Sequence, residues 1–140
     1  MHVRAALTSA VSALLLTGTI VQAVCLNGHP SVAEEYEAAK AVVAATVVAE
    51  RLIPSAEADF YDGTLYRIRV DKTLRGSVGD SAEIFSENSS GRFPMAVGAK
   101  YLLFIHTGSA GMRVDYCGNS GLVPKRMKEL KQVERLAAKR

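Results

Sequence analysis

Val97 to Gly121 reads VGAKYLLFIHTGSAGMRVDYCGNSG. This stretch contains two runs that favour β-structure, Tyr101 to Thr107 and Met112 to Cys117, on either side of the turn-forming Gly108 to Gly111. Such a pattern predicts a β-hairpin. The second run ends on a cysteine, and the only other cysteine is Cys25, far upstream. A bond between the two sulfurs would tie the start of the folded chain to the end of the hairpin.

The first 23 residues have the pattern of a signal peptide. Ala5 to Val21 carries no charge and follows a short basic start, and Val21-Gln22-Ala23 has small residues at the positions that a signal peptidase recognises. The uncharged run is short and weakly apolar for a membrane span. We therefore expect cleavage after Ala23, a secreted or periplasmic protein, and no stable membrane span once the signal is removed.

Residues 24–140 have the usual length of a single domain with one small core. Lys125 to Arg140 holds seven basic residues against two acidic ones, whereas Val24 to Pro124 holds nine against twelve. The predicted domain has a mildly acidic body and a basic C-terminal end. Because exported proteins meet oxidising conditions, Cys25 and Cys117 are expected to form a disulfide bond.

Two elements are predicted at the start of this domain. Ser31 and Glu34 have the spacing of a capping box, which predicts that a short helix begins here, with Val32, Tyr36 and Ala39 on one side. Ala41 to Val48 is rich in β-branched residues and predicts a long first strand, although its alanines would also fit a continued helix.

The middle of the chain predicts alternating strands and turns. Leu52 to Gly63 is expected to form a loop with a tight turn at Asp62-Gly63. Thr64 to Asp71 alternates apolar with mostly charged residues and predicts a strand with one apolar face. Arg75 to Asp80 is expected to turn the chain, and Ala82 to Ser86 to form a short third strand.

The C-terminal end, about residues 124–140, predicts an amphipathic helix. We expect its apolar stripe to pack on the body of the domain while its basic residues face water. The alternative is a basic face that binds an anionic membrane or polymer. The apolar positions are Met127, Leu130, Val133 and Ala137, and the basic ones are Lys128, Lys131, Arg135 and Lys139.

Motifs of common enzyme classes do not occur: there is no P-loop, no G-x-S-x-G and no H-E-x-x-H. We expect no enzyme, no catalytic residue and no cofactor. The alternative hypothesis is a secreted metal-binding protein or enzyme centred on His29, His106 and the two cysteines, which have the composition of a Cys2His2 zinc site. That site needs two free thiols, so an oxidising compartment favours the disulfide. His29 is then predicted to lie in a turn, and His106 on the solvent side of a strand.

The aromatic residues are expected in the core and at the rim of a small β-domain. They are not expected to stack on nucleic-acid bases, because an exported protein seldom meets single-stranded nucleic acid. We therefore expect no nucleic-acid partner, and another extracytoplasmic protein as the partner. The residues concerned are Tyr61, Tyr66, Tyr101, Tyr116, Phe85, Phe93 and Phe104.

Several short motifs occur in the same order as in a known protein family. They are Cys25, His29-Pro30 before the first helix, Leu74-Arg75-Gly76, the G-x-x-Y-L-x-F run Gly98 to Phe104, and Cys117 before the final helix. In these the chain resembles the netrin-like domain of the tissue inhibitors of metalloproteinases and their bacterial relatives. The resemblance implies a mainly β fold, namely a small OB-like β-barrel with a short N-terminal helix and an amphipathic C-terminal helix.

One departure from that family bears on function. The animal inhibitors begin with Cys-x-Cys, and the first of these cysteines chelates the protease zinc and is bonded to a later Cys-Gly. Here a single cysteine stands at the start, and Ser90 to Phe93 occupies the place of the Cys-Gly. The resemblance thus implies that Cys25 and Cys117 form the structural bridge and that the chelating one is missing. It implies an exported protein-binding module, inhibitor-like in fold but without the family's means of chelation.

Overall fold

The computed structural model describes residues 25–140 of the chain. The predicted signal peptide, residues 1–23, lies outside them. The described part is mainly β with two flanking helices, which confirms this level of the prediction. Its elements, in chain order, are α1 (Val32–Ala38), β1 (Ala41–Pro54), β2 (Tyr61–Arg75), β3 (Ser81–Glu87), β4 (Lys100–Gly108), β5 (Gly111–Val114), β6 (Gly121–Leu122), a 3-10 turn (Val123–Lys125) and α2 (Met127–Ala137).

All six strands belong to one sheet with the order β1-β2-β3-β5-β4-β6, and β1 also pairs with β4. The pairing of β1 with both β2 and β4 is antiparallel. The strands β3 and β5 run parallel and meet at a single pair, Ile84 and Met112. β1 therefore has a hydrogen-bonded neighbour on each side over its first half.

The first half of β1 is apolar on both faces because each face covers a different core. Val43 and Val47 belong to the core between the strands, together with Ile68 and Leu103. Val42 points to the opposite side, into a second core beneath the helices. A strand buried on both faces has a continuous apolar run instead of strict alternation. The predicted first strand is confirmed, and it extends beyond Val48 to Pro54.

The two helices cover the second core. The capping box of α1 is present, since Ser31 Oγ accepts from Glu34 N at 3.2 Å and Glu34 Oε2 accepts from Ser31 N at 2.8 Å. In α2, Val133 is fully buried and Leu130 packs beside it, so the predicted packing of the apolar stripe is confirmed for these two residues, whereas Met127 is 45% exposed. Neither helix within residues 25–140 combines the length and apolar character that crossing a bilayer requires.

The predicted turn at Asp62-Gly63 is wrong. Gly63 lies inside β2, where it pairs with Ile53 of β1, and the chain reverses at residues 55–60, where Asp59 has a φ of 68°. A side chain at position 63 would come within 2.5 Å of the Ser86 carbonyl oxygen and within 2.7 Å of the Phe85 ring. The glycine therefore makes room for an aromatic ring on the neighbouring strand. In the sequence, a glycine that serves this purpose looks the same as a glycine in a turn.

The predicted hairpin is confirmed, but its second strand is shorter than expected. Gly108 pairs with Gly111, so the connection has two residues, and β5 ends at Val114. Cys117 lies beyond the strand, in a turn that Asp115 closes by accepting from Cys117 N at 2.9 Å. Aspartate commonly ends a strand in this way, because its side chain offers the backbone an alternative to the ladder.

Candidate functional site

A disulfide bond joins Cys25 to Cys117, and their Cα atoms lie 5.7 Å apart. The bond links the segment before α1 to the turn after β5, across a sequence separation of 92 residues. Closing so long a loop restricts the unfolded chain, by about 4–5 kcal/mol in the entropic account. The two segments that it brings together, Cys25–Pro30 and Asp115–Asn119, are called the disulfide-bonded edge below.

The segment Cys25–Pro30 is held at Cys25, Gly28, His29 and Pro30, and Leu26 and Asn27 form the turn between the first two of these. Gly28 N donates to the first carbonyl of the segment at 2.9 Å, in a turn where Gly28 has a φ of 72°. The His29 ring meets the carbonyl oxygen of Cys117 through Nδ1 at 2.9 Å, and because a carbonyl only accepts, Nδ1 carries the proton. Asn119 Nδ2 donates to the last carbonyl of the segment at 3.0 Å. The backbone is therefore fixed although most of its side chains are exposed.

Behind the edge lies Glu35, whose side chain is 3% exposed. Its Oε2 accepts from Asn119 N at 2.6 Å and from Asn119 Nδ2 at 2.8 Å, and its Oε1 lies 3.4 Å from His106 Nε2. Gly118 permits this approach, because a Cβ at that position would overlap the carboxylate. Burying a carboxylate is costly unless it is well bonded. The network thus fixes the edge to α1.

The predicted position of His106 on the solvent side is wrong. Its side chain is 21% exposed and lies beside Glu35. The two-residue period of β4 places His106 on the face of Leu102 and Phe104, and both of these belong to the core under the helices. The residue is therefore part of the polar border of that core. His29, in contrast, is exposed and lies in the turn-rich segment, as predicted.

The edge presents apolar side chains to solvent. Leu26 is 92% exposed and Tyr116 is 45% exposed. Open depressions lie beside both residues. One is formed by Cys25–Pro30 with Asp115, and the other is lined by Phe93, Tyr116, Asn119 and Arg126 among others. Exposed apolar groups on a fixed backbone, next to concave surface, are features of protein interfaces.

The four residues of the alternative metal hypothesis are not assembled as a ligand set. Both sulfurs are in the disulfide bond, His29 meets a backbone carbonyl, and His106 meets Glu35. In the part of the chain that the structure describes, no three His, Cys, Asp or Glu side chains are grouped closely enough to hold a metal ion. Thiolate ligation by Cys25 and Cys117 would require the disulfide bond to be opened.

Comparison of the sequence with models of protein families and with curated proteins gives no match.

Sequence reasoning missed the pair formed by Glu35 and Asn119. Glu35 is one of three glutamates in α1, and Asn119 lies in a polar turn with no distinguishing pattern. One signal was present: Glu35 is three residues after Val32 and four before Ala39, so it falls on the buried side of α1. A carboxylate on an apolar helix face requires a hydrogen-bonding partner, but its spacing does not identify which residue that is.

Proposed function

We propose that this chain is an exported protein-binding module that docks a partner protein with the disulfide-bonded edge. The observation that carries the proposal is the segment Cys25–Pro30. Its backbone is fixed by the disulfide bond and by hydrogen bonds to the turn Asp115–Asn119, yet Leu26 at its tip is 92% exposed. A leucine held so far out of the core contributes nothing to folding, whereas it can fill a pocket on a partner.

Fixing the segment before binding favours affinity. Association costs free energy whenever flexible groups must be ordered, and a backbone that is already ordered avoids that cost. Tyr116 adds an aromatic side chain of the kind that is enriched at binding hot spots. Phe93, beside the second depression, would extend the contact surface. We therefore expect the energy of binding to be concentrated in Leu26 and Tyr116.

The fold that we propose is an OB-like barrel. The pairings support it, because they lead from β1 through β2, β3, β5 and β4 and back to β1. The single parallel pair between β3 and β5 would then close the barrel. Closing a sheet on itself removes its free edges, which is how small antiparallel folds avoid uncontrolled pairing.

We further propose a netrin-like relationship to the tissue inhibitors of metalloproteinases. In those inhibitors the first cysteine of the N-terminal segment chelates the protease zinc and is bonded to a later Cys-Gly. Here the corresponding segment contains Cys25 alone, and Ser90 to Phe93 replaces the Cys-Gly of the family. The proposal is therefore docking with the same edge without zinc chelation, and the partner need not be a metalloprotease.

Export is part of the proposal, with the secreted or periplasmic space as the location. The disulfide bond supports it, since such bonds persist mainly in oxidising compartments. Removal of residues 1–23 as a signal peptide would leave a single domain that starts close to Cys25. The proposed activity is binding without a chemical step, so no catalytic residue or cofactor takes part. Native mass spectrometry separates it from the metal hypothesis: the mass of the disulfide form without metal is expected.

The experiment is affinity enrichment from an extracytoplasmic fraction with the immobilised protein and two variants. Leu26→Asp places a charge in the proposed interface, and Leu52→Asp places the same charge at a second exposed leucine, which is 61% exposed and lies on β1. We expect a partner to be recovered by the wild type and by Leu52→Asp but lost with Leu26→Asp. Equal recovery by both variants, or no specific partner for the wild type, would overturn the proposal.

A further inference from the structure

The side of α2 that faces the sheet packs against the second core. Val133 is completely buried in the second core, and Leu130 and Leu136 pack against that core from the same side. The end of the chain is tied down as well, since Arg140 donates to both carboxylate oxygens of Glu37 on α1, at 2.7 and 2.6 Å. The opposite side of α2 therefore has a fixed orientation toward solvent.

That outer side carries a row of basic residues, which we call the basic row. Its members are all exposed, and they follow one another three or four residues apart, so that they lie along one side of the helix and its two flanking turns. At a rise of about 1.5 Å per residue, the row is about 20 Å long. It consists of Lys125, Lys128, Lys131, Arg135 and Lys139.

The acidic residues of α2 are directed to other cations. Glu134 Oε1 lies 2.8 Å from Lys72 Nζ on β2, and Glu129 Oε1 lies 3.4 Å from Arg126 Nη1. Within residues 25–140, no member of the basic row takes part in an ion pair. Five positive charges thus stand together along one line without neutralising neighbours.

We propose that the basic row binds a linear polyanion, such as a sulfated or phosphorylated polymer. The row has the length and the narrow width of an extended chain segment, so successive anionic groups can meet successive cations. Binding of this kind is driven by the release of counterions and requires no deformation of the protein. It is independent of the disulfide-bonded edge, and it gives an exported protein a means of being retained near its partner.

An anionic membrane fits the row less well. Peripheral helices that bind membranes insert an apolar face beside their cations, and the apolar stripe of α2 is already buried in the core. The body of the chain from Val24 to Pro124 has more acidic than basic residues, which opposes its approach to a plane of negative charge. A line of cations on an acidic body is better matched to an extended anionic polymer than to a membrane surface.

The test uses chromatography of the purified protein on immobilised heparin, together with sedimentation with vesicles of equal parts phosphatidylcholine and phosphatidylglycerol. In the row variant, Lys128, Lys131, Arg135 and Lys139 are replaced by Gln, which also favours helix. In the control variant, Gln replaces four exposed arginines outside α2, so the net charge changes equally. The control positions are Arg51, Arg67, Arg92 and Arg113.

We expect the wild type and the control to be retained by heparin to similar salt concentrations, and the row variant to elute early. The slope of log affinity against log salt should become less steep with each engaged cation that is removed. Equal losses in both variants, or no retention of the wild type, would overturn the proposal. Binding to the vesicles but not to heparin would overturn it in favour of a lipid surface. An unchanged melting temperature of the row variant establishes that the helix remains in place.

Discussion

Asn119 joins the buried carboxylate of Glu35 to the exposed edge of the molecule. Its backbone nitrogen and its Nδ2 donate to Glu35 Oε2 at 2.6 and 2.8 Å, and Nδ2 also donates to the carbonyl oxygen of Pro30 at 3.0 Å. One residue thus fixes both the turn after β5 and the segment that precedes α1. The geometry of the proposed binding edge therefore depends on an anion that no partner would touch.

Replacing Glu35 by Gln should destabilise the protein. Both donors of Asn119 reach Glu35 Oε2, and the amide oxygen of Gln can take that place but carries no charge. A hydrogen bond to a charged group contributes about 1 kcal/mol more than one to a neutral group, so stability should fall by about that amount or more. Urea denaturation followed by circular dichroism measures it. The matched control is Glu83→Gln, at an exposed position on β3, which should change stability by less than about 0.5 kcal/mol. Equal stability of the two variants would show that the charge of Glu35 contributes nothing.

Replacing Cys117 by Ser, which leaves Cys25 unpaired, should lower stability by about 2–5 kcal/mol under non-reducing conditions. The reason is that the unfolded chain regains the freedom that the bond removes. Adding reductant to the wild type should lower its denaturation midpoint to nearly that of the variant. A variant that denatures at the wild-type midpoint would mean that the cysteines are not bonded in the native protein.

Replacing Val133 by Ala should destabilise the protein because the side chain is fully buried between α2 and the sheet. Removing two buried methyl groups and leaving a cavity costs about 2 kcal/mol. The control is Met127→Ala on the same helix, because Met127 is 45% exposed and should lose much less. Thermal melting measures both. If deletion of residues 125–140 leaves melting unchanged, the helix is not part of the packed domain.

Replacing Asp71 by Asn should lower the stability of the protein at neutral pH. It should also make that stability less sensitive to a fall in pH. The Thr46 hydroxyl donates to Asp71 at 2.7 Å and is the main reason why the pKa of this carboxyl is lowered, with Lys100 and Arg69 adding to the effect. A carboxylate with a lowered pKa stabilises the fold above its unfolded pKa of about 3.9, and this contribution is lost as pH falls through the folded value.

The effect is measured as the difference in unfolding free energy between the wild type and Asp71→Asn. Because the site is close to the surface, we expect a difference of less than about 1 kcal/mol at pH 7. As pH falls from 7, it should begin to shrink below the unfolded pKa of about 3.9 and approach zero once pH has passed below the lowered folded pKa, where Asp71 is protonated in both the folded and the unfolded chain. A difference that stays constant over this range would contradict a role for the charged carboxylate.

Sequence patterns predicted the elements well where the residues of the pattern interact with near neighbours in the chain. The capping box of Ser31 and Glu34 and the apolar stripe around Val133 both act within a few residues, so sequence spacing reveals them. The same reasoning misplaced the β1–β2 turn. Gly63 serves the approach of Phe85, a residue on another strand, and a local pattern cannot distinguish that use of glycine from a turn.

The site was predictable only in part for the same reason. The cysteines could be paired because there are only two of them. Glu35 and Asn119 are separated by 84 positions and are common polar residues, so their contact can be identified only from the three-dimensional structure. His106 was misplaced because the side of β4 that it occupies is covered by α1, which lies about seventy positions earlier in the chain.

The most direct measurement of the central claim is the hydrogen-exchange footprint of the partner that affinity enrichment recovers. The account predicts that binding slows exchange at the amides of residues 25–30 and 115–119, with little change at the exposed end of the β1–β2 hairpin. Protection confined to that hairpin end or to α2, with the disulfide-bonded edge exchanging as in the free protein, would contradict it.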